Sequence, residues 1–374
     1  MKLTNLKTVT KRRKFIEMQL NLKLNNIGKT LIDDEKNIHC ENLIGAISLP
    51  LGIAGPIKTR SSDLVTRNSY IPLATTEGAL IASVNRGCKA VTLSGGAKVF
   101  VDNVGVTRGP VFQTTGLEQS FEFRKWLIEH QKELANIAAS TSKHLNLLNM
   151  EIQVIGIYVY VRFIFDSQDA MGMNMVTMAT EKIINYIEQN LMIINLAIAG
   201  NFDIDKKPAW LNFITGRGRR IWAECTISKQ VVQDVLKTTP EKIFDVWLAK
   251  CMIGSAISGS LGFNSHFANI VAAFFSATGQ DLAHVVEGSL GVTTTKLLPN
   301  QDLYFSIYLP DILIGTVGGG TSLKAQTEAR TIIGVKHAND LAEVLAGAVV
   351  AGELSLLASL AEGSLAKAHQ KLGR

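Results

Sequence analysis

Where negative charge develops on a carbonyl oxygen, the chemistry needs a fixed cation beside that oxygen and a proton donor within reach. Lys206 is the right type for the cation: it lies in Asp205-Lys206-Lys207-Pro208, where the proline stiffens the exit of a loop. A solvated surface turn fits the same letters. Glu77 follows Thr75 and Thr76 in a run of small uncharged residues, so its carboxyl is expected to be partly buried, with the protonated form favoured and able to act as a general acid. A carboxylate that only complements a helix N-terminus suits that position too. Asp281 comes after Gly279-Gln280 and the apolar run AAFFSA, where a lone carboxylate needs a partner, and a catalytic lysine is a natural one. Helix capping or a structural ion pair is the alternative. His369, near the end of a C-terminal helical pattern, could close over a site and protonate a thiolate near neutral pH, although most lone histidines do nothing of the kind.

Two further segments suit a ligand. DAMGMNM (169–175) puts a glycine between flexible methionines directly after a strand-like run, and GTVGGGT (315–321) has three consecutive glycines that let backbone approach a ligand closely. Neither matches the dinucleotide fingerprint G-x-G-x-x-G or the phosphate-binding P-loop, so those two folds are excluded as assignments. Core packing by methionine and a plain glycine turn remain the alternatives.

The rest of the chain must bring these residues together. With 374 residues, 47% hydrophobic and 19% charged, it is long enough for two or three cooperating units and too apolar for disorder. The longest strongly apolar stretch, around Phe267 to Ala277, is interrupted upstream by Asn264, Ser265 and His266 and falls short of the about 20 residues that a membrane span needs, so a buried helix is expected there. No signal-peptide core follows Lys11 to Lys14, and a cytoplasmic enzyme is the simplest reading. Cys40, Cys88, Cys225 and Cys251 lack the spacing of a zinc site or a disulfide framework and are expected to be reduced and mostly buried. A net charge of +6 suits anionic, phosphate-bearing ligands or simply a solvated surface, and no nucleic-acid motif accompanies the basic cluster.

Along the chain, residues 1 to about 45 read as a helical cap. The Pro50, Gly52, Gly55 and Pro56 punctuation of LPLGIAGP forbids a regular helix, and GALIASVNRGCKA reads as a buried helix capped near Thr75 or Thr76. A polar helix is expected over Glu118 to Leu147, a strand pair over 151–166, and a helix from Met175 to about Asn190, together an inserted α+β unit. Further helices are expected around His266 to Gln280 and from about Asp340 to Gln370.

Taken in order, ENLIG, LGIAGP, ATTEGALIASVNRGCKA, TRGP, STSK, DAMGMNM, DKKP, KTTPEK, NSHFANI, GQD, DLY, GTVGGGT and GELSLLASLA resemble the catalytic portion of hydroxymethylglutaryl-CoA (HMG-CoA) reductases from about Asn5 to Arg374. The eukaryotic and archaeal class is the nearer one. The resemblance implies an α+β fold: an N-terminal helical region (1–45), a large substrate-binding domain around a central helix (46–109 and 210–374), an inserted ferredoxin-like NADP-binding domain (110–198) and a connecting catalytic loop (199–209). It implies NADPH-dependent reduction of (S)-HMG-CoA to (R)-mevalonate and CoA for isoprenoid synthesis, with NADH as a possible substitute, no metal, and a homodimer or tetramer whose active sites lie at the subunit interface. Lys206 would stabilise the oxyanion with Asp281 bonded to it, Glu77 would donate a proton to the aldehyde, and His369 would protonate the CoA thiolate. The substrate carboxylate would meet Arg108, Lys207 and Lys250, with Asp205 and Asn269 nearby; CoA would lie against Ser83, Asn85, Arg86 and Lys237. NADPH would use Asp169, Met171, Gly172, Met173, Asn174 and Val317, with Ser142 and Lys143 at the 2′-phosphate.

Three positions depart from the family pattern. Lys143 stands where arginine is usual, exchanging a planar phosphate fork for a point charge. Ala199 and Ala368 each replace a serine, removing one potential hydrogen bond worth about 0.5–1.5 kcal/mol. The chain is also expected to lack the membrane anchor of eukaryotic members and their regulation by a phosphorylated serine beyond Arg374.

Overall fold

The computed structural model describes residues 8–26, 38, 42 and 46–363. Helix α1 (Val9–Leu20) precedes the hairpin β1 (Leu51–Ser61) and β2 (Thr66–Ala74), in which the cis Gly55-Pro56 bond coincides with a break in register between Ala54 and Ile57. Helix α2 (Leu80–Leu93) and the long strand β3 (Ala97–Arg108) follow. Helix α2 begins later than expected: Thr75 Oγ1 accepts from the Glu77 amide in a turn, and Ala79, at φ +71, is the N-cap.

The next unit runs β4 (Val111–Gln113), α3 (Leu117–Glu129), α4 (Gln131–Ala139), β5 (Asn146–Ile155), β6 (Tyr158–Asp166), α5 (Met173–Asn190) and β7 (Ile194–Ala197). The single polar helix expected over Glu118 to Leu147 is two helices broken at His130, and its last residues already belong to β5. The strands lie side by side as β7-β4-β6-β5, all antiparallel, which is the ferredoxin-like order. A separate apolar cluster of Phe112, Phe123, Leu127, Val161, Phe163, Phe165, Val176 and Ile183 fills the space between this sheet and its helices.

After α6 (Trp210–Thr215) the chain forms β8 (Arg217–Ile227), α7 (Lys229–Val231) and α8 (Pro240–Trp247), with π-helical turns at Val232–Leu236 and Leu248–Gly254. Then come α9 (Ser255–Ser258), α10 (Phe267–Thr278), the short α11 (Val285–Gly288), the hairpin β9 (Val292–Leu297) and β10 (Leu303–Ile312), α12 (Lys324–Ile333) and α13 (Ala338–Glu362). Strand β3 belongs to both parts: it pairs with β1 and β8 along most of its length and with β6 at Val106 to Arg108, joining all ten strands into one sheet. Arg108 therefore sits at the seam.

Helix α13, not Phe267–Thr278, is the longest apolar helix. Its mean hydropathy of 1.9 over 18 residues meets the requirement for a membrane span, but 83% of that window is buried inside the protein. Small residues explain how a helix can be covered on every side. A Cβ at Gly87 would come within 1.8 Å of the Ala351 carbonyl oxygen, so α2 and α13 touch backbone to backbone, and one at Gly352 would come within 2.2 Å of the Ile270 side chain, which α10 packs against the backbone of α13. Cys88, Cys225 and Cys251 are free and buried in the same core.

Candidate active site

Lys206 lies in the loop between β7 and α6 with φ +58, in the left-handed region that costs a non-glycine residue about 1 kcal/mol or more. Side chains hold that backbone at three points. Thr107 Oγ1 donates to the Asp203 carbonyl (2.8 Å), Asn212 Nδ2 to the Ile204 carbonyl (3.0 Å), and the Lys206 amide to Glu287 Oε1 (3.2 Å). The Lys206 ammonium then pairs with Asp281 Oδ2 at 2.9 Å. Burial opposes ionisation of Asp281, but the hydrogen bond from Lys206, the Ala283 amide and the charges of His284 and Lys206 outweigh it and hold the carboxyl below the usual range. Asp281 thus caps a short turn and pairs with the lysine at once, combining the two alternatives left open by its position in the chain.

Around this pair lie other expected residues. Asp205 accepts from Arg217 at 3.0 Å, and Arg108 bonds Asp203 at 3.2 Å and Thr177 Oγ1 of α5 at 2.7 Å. Lys207 is exposed and donates to Asn201 Oδ1. The cofactor segments adjoin the same place. Ala170 bridges to Val317, the Thr316 amide donates to the Asp169 carbonyl at 2.8 Å, and Arg217 reaches Met173 Sδ at 3.2 Å. Gly172, at φ +97, opens α5, and a Cβ there would collide with Ser167 at 2.5 Å. Asp169 Oδ1 accepts from the Ala338 amide and Oδ2 pairs with His337; these contacts outweigh burial and lower its pKa. Met171 packs against the small unit's core, while Asn174, Val317 and Lys143 are exposed, with Ser142 half-buried beside Lys143. A Cβ at Gly318 or Gly319 would meet nothing within 4 Å, so this loop surface is open to a ligand. That openness, the glycine at the helix start and the exposed lysine fit an anionic dinucleotide.

Glu77 is elsewhere. Its side chain is exposed, contrary to the partly buried environment expected, because the turn before α2 lifts it away from the small-residue helix. Asn269 Nδ2 donates to Glu77 Oε2 at 2.6 Å. On α2 behind it, Ser83 bonds Ser355, Asn85 accepts from the Gly55 amide, and Arg86 is held by Ser355, Ser359 and Glu362 of α13. Burial lowers the Arg86 pKa, and Glu362 partly opposes this. Lys237, the residue that caps the first π-helical turn, and Lys250, on the second, are exposed. His369 and Ala368 lie outside the described residues.

Glu77 and Lys206 therefore lie at opposite ends of α10 within one chain. Asn269, which meets Glu77, is the third residue of that 12-residue helix, and Asp281, which meets Lys206, lies just past its end. At about 1.5 Å per residue the helix is about 18 Å long, whereas groups acting on one carbonyl must lie within about 3–3.5 Å of it.

Several participants carried no signal in the chain order. Arg217, His284, Glu287, Asp203, Gln280 and Asp311 are all buried. Gln280 exchanges two hydrogen bonds with the Gly315 backbone, tying the glycine loop to Asp281's neighbour. The fully buried Arg217 in the GRGR run joins Asp205 and Glu287. Glycines on either side, Gly216 and Gly218 at positive φ, are the one sequence feature that marked this place. Among the described residues, Asp205, His284 and Glu287 bring ligand atoms within 4.8 Å of one another, as a cation site would. Arg217 lies 3.0 and 3.1 Å from two of them and already supplies the compensating positive charge.

The family model for hydroxymethylglutaryl-coenzyme A reductase matches residues 8–374. The chain is 47% identical over 369 residues to 3-hydroxy-3-methylglutaryl-coenzyme A reductase of Methanothermobacter thermautotrophicus, covering 97% of this chain and 92% of that one. It is 48% identical to the reductase of Methanocaldococcus jannaschii, with 97% and 92% coverage, and 42% identical to reductase 1 of Dictyostelium discoideum, with 97% and 68%. Among solved structures, the class II reductase from Streptococcus pneumoniae bound to NADPH in open conformations matches with a TM-score of 0.76 at 19% identity, covering 96% of this chain and 98% of that one; at that identity it shows the fold alone.

Proposed function

Because the chain belongs to the hydroxymethylglutaryl-coenzyme A reductase family, we propose that it reduces (S)-HMG-CoA to (R)-mevalonate and CoA with NADPH in isoprenoid synthesis, at sites made from two copies of the chain. The observation that carries the two-copy reading is the separation of Glu77 and Lys206 by the length of α10. A second copy, related by two-fold symmetry, can bring its Glu77 end to the Lys206 end of the first.

In such a site Lys206 Nζ, steadied by Asp281, meets the oxygen on which charge develops, first in the thioester step and again at the aldehyde. Glu77 gives its proton to that aldehyde oxygen, and His369 protonates the departing CoA thiolate. Arg108, Lys207 and Lys250 hold the substrate carboxylate, with Asp205 and Asn269 beside them; Ser83, Asn85, Arg86 and Lys237 line the CoA path. Each of two NADPH molecules, bound in turn, would supply one hydride. Asp169, Met171, Gly172, Met173, Asn174 and Val317 position it, and Ser142 and Lys143 take the 2′-phosphate. Residues 110–198 act as the cofactor-binding unit, inserted into a large unit of 46–109 and 210–374 behind an N-terminal helical region of 1–45, with 199–209 as the catalytic loop; the separate apolar core of the inserted unit supports this division. The enzyme works in the cytoplasm without a metal; among the described residues the one helix apolar enough to cross a membrane, α13, is packed inside the protein.

Purified protein should consume two NADPH per mevalonate formed; no HMG-CoA-dependent loss of NADPH or NADH absorbance would sink the activity. The two-copy site has its own test. Lys206→Ala and Glu77→Gln proteins, each nearly inactive alone, are unfolded together, refolded as a mixture and assayed. If sites combine two copies, random pairing restores about a quarter of wild-type activity, because half of the pairs are mixed and each mixed pair holds one intact site. No recovery in verified mixed dimers means that each site is built from one chain.

A further inference from the structure

One oxygen atom in the interior touches three parts of the Lys206 end of the site. Glu287 Oε1 accepts from the Lys206 backbone amide at 3.2 Å, from Arg217 at 3.1 Å and from the His284 ring at 2.6 Å. An ionised carboxylate can only accept, so His284 Nδ1 carries the shared proton in that contact. The other ring nitrogen then faces Asp281 Oδ2 at 3.7 Å, and the second arm of Arg217 holds Asp205. Glu287, His284 and Arg217 are fully buried. Asp203 and Arg108, paired with each other, are the neighbouring charges, and the titratable Asp311 shares Asn212 with the loop carbonyl of Ile204.

A buried carboxylate is tolerated only where donors converge on it, and the donors here come from three segments that must agree in position for the site to exist. The loop they agree on is one that the backbone does not favour: Asn201, Ile204 and Lys206 all have positive φ. Of the three side chains that hold the loop backbone, Glu287 is the one bonded to Lys206 itself, and its partner His284 is the one that faces Asp281.

We propose that Glu287, through His284 and Arg217, is a positioning residue for the reductase reaction: a single buried carboxylate sets the backbone of Lys206 and the approach of Asp281, and so aims the ammonium. This rests on the reading of Lys206 as the cation at the developing oxyanion.

Glu287→Leu removes every acceptor and should lower kcat about 100-fold, the usual consequence of a misplacement of about 1 Å at a reacting group. KM for NADPH should stay within about twofold, and NADPH binding measured by fluorescence should keep wild-type stoichiometry, which separates mispositioning from a misfolded fraction. Glu287→Gln keeps one carbonyl for the Lys206 amide and should recover part of the loss, leaving kcat about 10-fold down; His284→Gln should behave similarly. In a Lys206→Ala background the Glu287→Gln change should cost less than about twofold, because the group it aims is gone. Should Glu287→Leu not fold, the two milder variants decide. Values of kcat within twofold of wild type for both overturn the proposal, as does an undiminished loss in the Lys206→Ala background. If Lys206→Ala itself is fully active, the reading of Lys206 fails, and that outcome is visible separately.

Discussion

The two ends of α10 are built on different principles. At its C-terminal end Lys206 and Asp281 stand over a buried network in which Arg217, His284 and Glu287 come from a strand, a turn and a short helix. At its N-terminal end Glu77 is exposed and takes one described side-chain hydrogen bond, from Asn269. Lys206, the cation of the proposed reading, is tied to Glu287 and Asp281 before any ligand arrives. A proton donor sits on the surface, and the reading above has it covered only when a second copy docks. Under the proposed function the difference teaches that preorganisation is uneven within one site: the group read as stabilising charge is fixed, and the group read as delivering a proton is brought by the second copy.

The largest expected effect comes from the fixed side. Lys206→Ala should lower kcat by about 1,000-fold with the fold intact by circular dichroism, since a preorganised charge at an oxyanion is worth about that much. Glu77→Gln keeps the bond from Asn269 in shape but cannot give a proton, and kcat should fall about 100-fold. If the Glu77 change proves far more damaging than the Lys206 change, the contrast between the two ends is wrong. Asn269→Ala sharpens it further: an acid held by one amide should lose about 10-fold when freed, measured as kcat at saturating substrate.

Smaller effects probe the periphery. Lys143→Ala should raise KM for NADPH about 10-fold, with little change for NADH, because only the former carries a phosphate for the ammonium to meet. Asp311 tests the buried side by pH. Burial, opposed by Arg217, pushes its carboxyl up to about 8 from an ordinary 3.8. An acid that binds its proton more tightly when folded lends stability at low pH, and that contribution is lost as pH rises from about 4 to about 8. Asp311→Asn cannot titrate, so urea denaturation should show it less pH-dependent than wild type, with a relative gain of about 3–4 kcal/mol between pH 5 and pH 8.

Lys206, Asp281 and the methionine and glycine segments were legible because their residue types are unusual for their surroundings: a proline-stiffened lysine pair, a carboxylate after an apolar run, glycines in a row. For Asp281 the residues pointed to a cationic partner or a cap without deciding between them, the resemblance implied Lys206, and the structure pairs the two. Glu77 was misread for a physical reason. Its small neighbours do form a buried helix, but that helix starts at Leu80, and the intervening turn turns the carboxyl outward. The break of the polar helix at His130 and the apolar length of α13 were missed because periodicity runs through both without interruption.

Composition and local pattern by themselves determined which segments could pack, where the chain had to turn, and which side chains had chemistry to offer, since those depend on neighbours within a few residues. Tertiary structure alone decided that Arg217, His284 and Glu287 meet on one oxygen, because a buried charge is defined by partners up to 81 positions away from Lys206 and leaves no periodic trace. It alone decided, too, that Glu77 and Lys206 lie a helix apart in the same chain: the length of α10 could be read from the residues, but not which end each group would reach.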